Sequence, residues 1–520
     1  MKRIIYFFST LFFILVMSFS SYSQAEVLGD ADSNFEDENY EVALKQYLKI
    51  IKKYKDDPKV NYRVGFCYLK TNYAKVNALP YLLFADSAKG SSFESIQFDL
   101  AQAYFYRHDF DKANEFAKKY LGLKSRNSEQ LAQLDRFMEM CSNAKALVSK
   151  PLKVTFVNLG EAVNSPQDDY IPFITEDETF MVFSSARKYN NEYQQFIRGV
   201  YTSNKIDGSW QKAKSISSKI NTDENAEAVG INKDGSLILA HVDRLSAPNE
   251  IYFSQKNKSG SYNELADIGK NINSKFGEAG ASVSQTGDTL FFSSDRPGGL
   301  GGFDIYYSIK LPDGTWGIPF NLGEPVNSVN DENYPYITAE GTTLYFSSTG
   351  HNSMGGYDVF RSRLIEDKWA EPKNLGYPIN DTYDNFNLAL TSNARYGYIS
   401  KLEATGLGGL DIYRVIFNDI PKTNIIYTGK IFVGDSLTAV PFNKVDSILT
   451  IKVYNKEKNN DVFATYQPSR NGKYTIALPP GDWNLEIVGK AYIKYEKEIL
   501  IRDEQPLQVL VPRNIYLKKK

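Results

Sequence analysis

The chain has 520 residues, a nearly balanced charge of 60 Lys+Arg against 62 Asp+Glu, and two cysteines. Its length exceeds what one hydrophobic core usually serves, so three or four domains are expected. The charge balance speaks against bulk electrostatic capture of nucleic acid or an anionic membrane, and the cysteine count excludes a disulfide framework. The 36 tyrosines and 32 phenylalanines suit β-rich folds, where flat rings fit half-buried pleated surfaces.

Residues 1–23 read as a secretory signal peptide. Lys2 and Arg3 form a basic start, Ile4 to Phe19 is a nearly continuous apolar run, and small residues at Ser21 and Ser23 precede a cut before Gln24. The run is short for a membrane span, an uncleaved anchor being the alternative. No cysteine lies near the cut, so lipid modification is not expected. No later apolar stretch is long, so no transmembrane segment is expected after cleavage.

Between residues 24 and 150 apolar residues recur at helical spacing, and the pattern repeats. Ala43, Ala78 and Ala113 stand 35 residues apart, and Gly29, Gly65 and Ala101 stand 36 apart. Small residues there allow antiparallel helices to approach closely, and Pro58 marks an inter-repeat turn. The pattern resembles the tetratricopeptide repeat in three units, with a capping helix from Ser128. The resemblance implies a concave groove for a peptide or protein; the alternative is a packing domain that docks on its own neighbour. Cys67 and Cys141 both fall here and read as buried free thiols, a disulfide being open.

From 151 to 420 a period of about 53 residues dominates. Asn164, Asn221, Asn273, Asn327 and Asn380 are spaced 57, 52, 54 and 53 apart, and Phe183, Ala240, Phe292, Phe346 and Ile399 follow each by 19 on an apolar strand. Asp304, Asp358 and Asp411 follow the last three asparagines by 31, each preceded by Gly-Gly-x, while Trp210, Tyr262, Trp316 and Trp369 mark a fourth strand. Four short strands per unit predict a five-bladed β-propeller. The fifth unit lacks its outer strand, and an orphan strand at Leu152–Phe156 is expected to supply it and cover a sheet edge. Asn-Leu-Gly-x-x-Val-Asn-Ser at 158–165 and 321–328, with Ser-Ser-Asp-Arg-Pro-Gly-Gly-Leu-Gly-Gly-Phe-Asp-Ile-Tyr at 293–306, resembles the TolB-type, WD-like propeller repeat.

Residues 421–520 alternate with period two through Leu449–Tyr454, Lys473–Leu478 and Trp483–Ile487, with turns at Asn471-Gly472 and Pro479–Asp482. This predicts an antiparallel β-sandwich. The string Gly-x-Tyr-x-Ile-x-Leu-Pro-x-Gly at 472–481 resembles the carboxypeptidase-regulatory-like fold, and Lys518–Lys520 reads as a solvated tail.

Little points to catalysis. The glycines at 298–302 and 355–356 are not followed by Gly-Lys-Ser/Thr or a helix, so they read as turn residues rather than a phosphate loop. His108, His241 and His351 lie in unrelated repeats, and neither a Gly-x-Ser-x-Gly elbow nor a paired-histidine zinc motif occurs. Asp168, Asp331 and Asp384, four residues after a repeat asparagine, invite a calcium reading, but bracing of nearby backbone amides is the reading preferred, as for Asp304, Asp358 and Asp411. No catalytic, cofactor or metal residue is therefore expected.

The domain order is similar to that of PorE-type components of the type IX secretion apparatus, which usually add a C-terminal OmpA-like domain that grips peptidoglycan. No such domain follows the sandwich here, so anchorage by that route is not expected. The resemblance implies an exported, periplasmic or outer-membrane-associated, non-enzymatic scaffold contacting other envelope proteins of secretion or gliding machinery. The alternatives are a glycan- or peptidoglycan-binding protein that uses the propeller mouth, and a hydrolase with an unrecognised site.

Overall fold

The computed structural model describes residues 26–71, 74–88, 93–123, 127–190, 195–220, 225–242, 249–391, 394–420, 424–435, 437–442, 448–458, 461–501 and 510–520. The signal segment 1–23 and Asn221 lie outside the described residues.

Seven helices come first: α1 (26–36), α2 (Tyr40–Ile50), α3 (Pro58–Lys70), α4 (Ala78–Ser87), α5 (Ile96–Tyr106), α6 (Phe110–Leu123) and α7 (Ser128–Val148). Local chemistry sets their starts. Asp57 accepts from Lys59 N and Val60 N with Pro58 opening α3, and Asn127 and Gln130 form a reciprocal capping box on α7. Three cores link them in order, through Leu44, Val64 and Cys67, then Leu82 and Leu100, then Phe105, Phe137 and Cys141. Ala43, Ala78, Ala101 and Ala113 are all fully buried. A Cβ on Gly65 would collide with the Leu82 side chain, so α3 and α4 need that glycine for their approach; a Cβ on Gly29 would meet nothing within 4 Å. The first small-residue position is therefore not a close-packing site. Among the described residues no helix is long and apolar enough to cross a membrane.

Five antiparallel sheets follow. The first takes Asp169–Ile174, Phe180–Asn190 and Gln195–Ile206; the second Ala226–Ile231, Leu237–Val242, Glu250–Gln255 and Ala266–Asp267. The third takes Glu278–Val283, Thr289–Ser294, Asp304–Ile309 and Phe320–Asn321; the fourth Glu332–Ile337, Thr343–Ser348 and Asp358–Ile365. The fifth joins Ala389–Leu390, Tyr396–Leu402 and Leu410–Phe417 to the leading strand Val154–Asn158, which pairs with the last of these from Val154↔Phe417 to Asn158↔Tyr413. The expected closure is present, two residues further along than the alternation at Leu152–Phe156 indicates. Each sheet packs on the next, and the fifth packs back on the first through Met181, Phe183, Tyr398 and Ile412.

The fourth strand differs from expectation. In the first and fourth sheets it is split into Ser209–Trp210 and Lys214–Ser215, and into Lys368–Trp369 and Lys373–Asn374. Tyr262 and Trp316 make only isolated bridges, to Lys256 and Lys310. These aromatics thus open the outer strand at a tight hairpin, and the chain rejoins the sheet a few residues later.

The C-terminal segment forms two sheets on one core that includes Ile431, Ile451, Ile476, Trp483 and Leu485. One runs Asp461–Tyr466, Thr450–Asn455, Gly481–Val488 and Tyr495–Ile501, all antiparallel. The other is mixed: Leu510–Pro512 and Ile515–Leu517 lie parallel to Ile425–Val433. The purely antiparallel expectation fails because the last strands cross over from the opposite sheet and arrive pointing the same way as the strand they meet. The lysine tail is also tied down: Ile493 N donates to Lys518 O at 2.9 Å and Lys520 N to Ala491 O at 3.1 Å, while the side chains stay exposed.

Candidate functional site

The repeat asparagines clamp one sheet to the next. Asn327 Oδ1 accepts from Ile305 N at 2.8 Å, and its Nδ2 donates to Ile305 O and Asn321 Oδ1, each at 2.9 Å. Asn380 does the same to Val359 and Asn374, Asn273 to Ile251 and Asp267, and Asn164 to Ile412 and Asn158. Each serves the residue after the repeat aspartate position on the preceding sheet. A side-chain amide is required, because it alone offers a donor and an acceptor side by side.

The acids have the same kind of work. Asp168, Asp331 and Asp384 accept from Leu410 N, Phe303 N and Tyr357 N at 2.8–2.9 Å, each bond crossing between units. Asp304 accepts from Leu300 N, from Gly301 N and from Asn321 Nδ2; Asp358 accepts from Met354 N and Asn374 Nδ2, and Asp411 from Leu407 N and Asn158 Nδ2. The first glycine of each Gly-Gly-x-Asp sits under the next loop, since a Cβ on Gly301, Gly355 or Gly408 would collide with backbone at Asn330, Asp381 or Pro166. In the first unit, which lacks that motif, Arg198 N donates instead to Asn225, again four residues past the repeat asparagine position.

A second set of acids, each one residue further on, is fully buried. Glu332 accepts from Ser328 N and Oγ and from Ser348 Oγ, and burial pushes its carboxyl up to about 7. Burial likewise raises Asp358 to about 8; its Oδ1 has no hydrogen-bond partner.

The innermost strands bring together a cluster the repeat pattern does not announce. Tyr170 Oη donates to Glu227 at 2.7 Å and Arg198 Nη1 at 2.5 Å, with His241 Nδ1 3.9 Å away. Despite burial, these partners, His241 and Arg198 foremost, hold the Glu227 carboxyl down at about 2. Tyr334 packs edge-on against Phe386 nearby. His351 Nε2 lies 3.0 Å from Val326 O and His108 lies against Phe110 and Tyr377, so the three histidines stay apart.

The helices dock on the fourth and fifth sheets. Arg136 on α7 donates to Thr349 O at 2.5 Å, to Gly350 O and His351 O, and to Ser353 Oγ at 2.7 Å. Asn143 donates to Ser353 O, Met354 joins the α5–α7 core, and Tyr106 packs on Tyr383. A strip of half-buried rings, Phe35, Tyr40, Phe66, Tyr62 and Phe93, runs across the first helices. Cys67 and Cys141 are free thiols in separate cores, each pushed up to about 12 by burial. The Arg136 latch left no trace in the sequence, where it is one arginine on an amphipathic helix.

No protein-family model matches the chain. No curated protein matches it either. Solved structures to which it is similar include TolB from Acinetobacter baumannii, at 14% identity and TM-score 0.32 over 55% of this chain and 70% of that one. They include an endo-arabinase from Bacteroides thetaiotaomicron, at 12% identity and TM-score 0.34 over 50% of this chain and 96% of that one. The WD40 repeats of RRP9 align at 9% identity and TM-score 0.29 over 52% and 99%. Enzymes and non-enzymes both occur among these structures.

Proposed function

We propose that the chain is an exported, non-enzymatic cell-envelope scaffold that assists outer-membrane-associated secretion or gliding machinery through protein contacts. In this reading residues 24–150 are tetratricopeptide-like repeats, 151–420 a closed five-bladed TolB-like propeller and 421–520 a carboxypeptidase-regulatory-like domain behind a cleaved signal peptide. The observation that carries the reading is where the recurring polar residues go. Asparagines and acids that would be the natural candidates for chemistry are engaged with backbone of the neighbouring unit, as Asn327 is with Ile305 and Asp331 with Phe303. The ring of aromatics on the first helices is the kind of surface that protein partners use.

The test is affinity capture of the tagged full chain from cross-linked envelope fractions of the native host. Reproducible recovery of outer-membrane secretion or gliding components is the expected result. A partner-free monomer in the soluble fraction would overturn the proposal, and co-sedimentation with purified peptidoglycan in the absence of other proteins would move the function to glycan binding.

A further inference from the structure

Where one sheet packs on the next, an aromatic at the start of the outer strand usually covers a ring on the second strand of the preceding sheet. Trp210 meets Tyr398 edge-on with centroids 5.7 Å apart, Tyr262 meets Phe180 at 6.4 Å, and Trp369 meets Phe291 edge-on at 6.5 Å. Trp316 holds this position in the third sheet, and the second strand it faces carries leucine at both relevant places. Leu237 stands where the first unit has Phe180, and Leu239 stands where the third and fifth have Phe291 and Tyr398. Trp316 has no aromatic ring partner among the described residues; it packs beside the core that includes Leu239 and Ile268, and the Lys310 ammonium lies 5.5 Å from its ring centroid.

A cavity of about 540 Å³ lies where that ring is missing, between the second and third sheets. Leu237, Leu239, Phe253 and Trp316 line it, and Lys233 and Lys310 also border it. Its volume falls within the range of small-molecule sites, roughly 300–1,000 Å³. Its lining is mixed, with Ile268 and Val283 adding to the apolar wall and Asn232, Gln255 and Gln285 adding polar groups. The charged groups at its border are unequal. Lys233 is paired with Glu176 at 2.9 Å, and Asp234 accepts from Ser236 N at 3.0 Å, whereas among the described residues Lys310 has no carboxylate partner.

We infer that this cavity is a binding site for a small aromatic carboxylate, an aryl ring joined by a short saturated chain to its acid group. The ring replaces the aromatic side chain that the second sheet lacks and packs against Trp316. The carboxylate meets Lys310. This chemistry can come from a free acid or from the C-terminal aromatic residue of a peptide.

The experiment is calorimetric titration of the full chain with 3-phenylpropionate, alongside 3-phenylpropylamine and hexanoate. The acid with the ring is expected to bind with a Kd on the order of 1 mM or tighter, and each control about tenfold more weakly. Leu239→Phe and Leu237→Phe fill the cavity from inside and are each expected to weaken binding by about tenfold or more without lowering the melting temperature. Lys310→Gln is expected to remove the preference for acid over amine. Gly-Gly-Phe compared with its C-terminal amide distinguishes the sources: tighter binding of the free tripeptide than of 3-phenylpropionate names a peptide terminus, and the reverse names a free acid. Absence of saturable binding at about 10 mM, or equal binding by the native chain and both filled variants, overturns the proposal. So does a filled variant that is more stable when the native chain binds nothing, since the space is then a packing defect.

Discussion

At the scale of single residues, the repeat asparagine is the most consequential side chain in the ring. Asn327 is 1% exposed and bonds both backbone groups of Ile305, so its loss leaves the buried Ile305 N–H without its acceptor and takes one of two donors from Ile305 O, which keeps Leu322 N. Asn327→Ala is expected to cost about 3 kcal/mol in chemical denaturation, and Asn327→Asp nearly as much, because the carboxylate cannot donate to Ile305 O. An exposed asparagine such as Asn257, which bonds only within its own turn, is the control and should cost under about 1 kcal/mol. The period of the asparagines was legible in the sequence, but their partner was not. A spacing of 53 residues says that a role recurs, while the role itself is a bond to backbone about 22 residues earlier in the chain, across a sheet boundary.

Among elements, the leading strand and the last long helix decide how the molecule is closed and joined. Val154–Asn158 covers the edge of Leu410–Phe417, and Asn158 also donates to Asp411. A chain starting at residue 160 leaves that edge bare; compared with one starting at residue 151 it is expected to melt on the order of 10 °C lower and to aggregate, as followed by light scattering during a thermal scan. The Arg136 latch makes a different prediction. Arg136→Ala removes charge-assisted bonds to three carbonyls and the Ser353 hydroxyl and should weaken docking of α7 by about 2 kcal/mol. Limited proteolysis should then cut faster near residues 149–153, with the sheets themselves unchanged. Alternation and helical spacing announced these elements correctly in kind. They misjudged the outer strands and the mixed C-terminal sheet, because pairing direction and hairpin breaks depend on where the chain has come from and not on local pattern.

For the whole molecule, buried carboxyls tie stability to pH. Asp358 and Glu332 hold their protons up to about 8 and about 7, whereas the unfolded groups ionise near 3.8 and 4.5. The folded state therefore binds more protons across that interval, and stability falls as pH rises toward the folded values. His108 and His351 act oppositely, but only below the ordinary histidine value of 6.5, since burial pushes both down. The native chain should thus melt at a lower temperature at pH 8.5 than at pH 6.5, and Asp358→Asn should flatten that slope while keeping the acceptor for Met354 N. The sequence by itself determined the order of helices before antiparallel sheets and the strand that completes the last sheet of the ring, because these rest on residue type and spacing. Only the tertiary structure decided which groups meet: Glu227 with Arg198, Arg136 with the loop at 349–353, and Trp316 with an empty space. Such meetings depend on the packing of one unit against the next, and a periodic pattern is the same whether the position it faces holds a ring or a leucine.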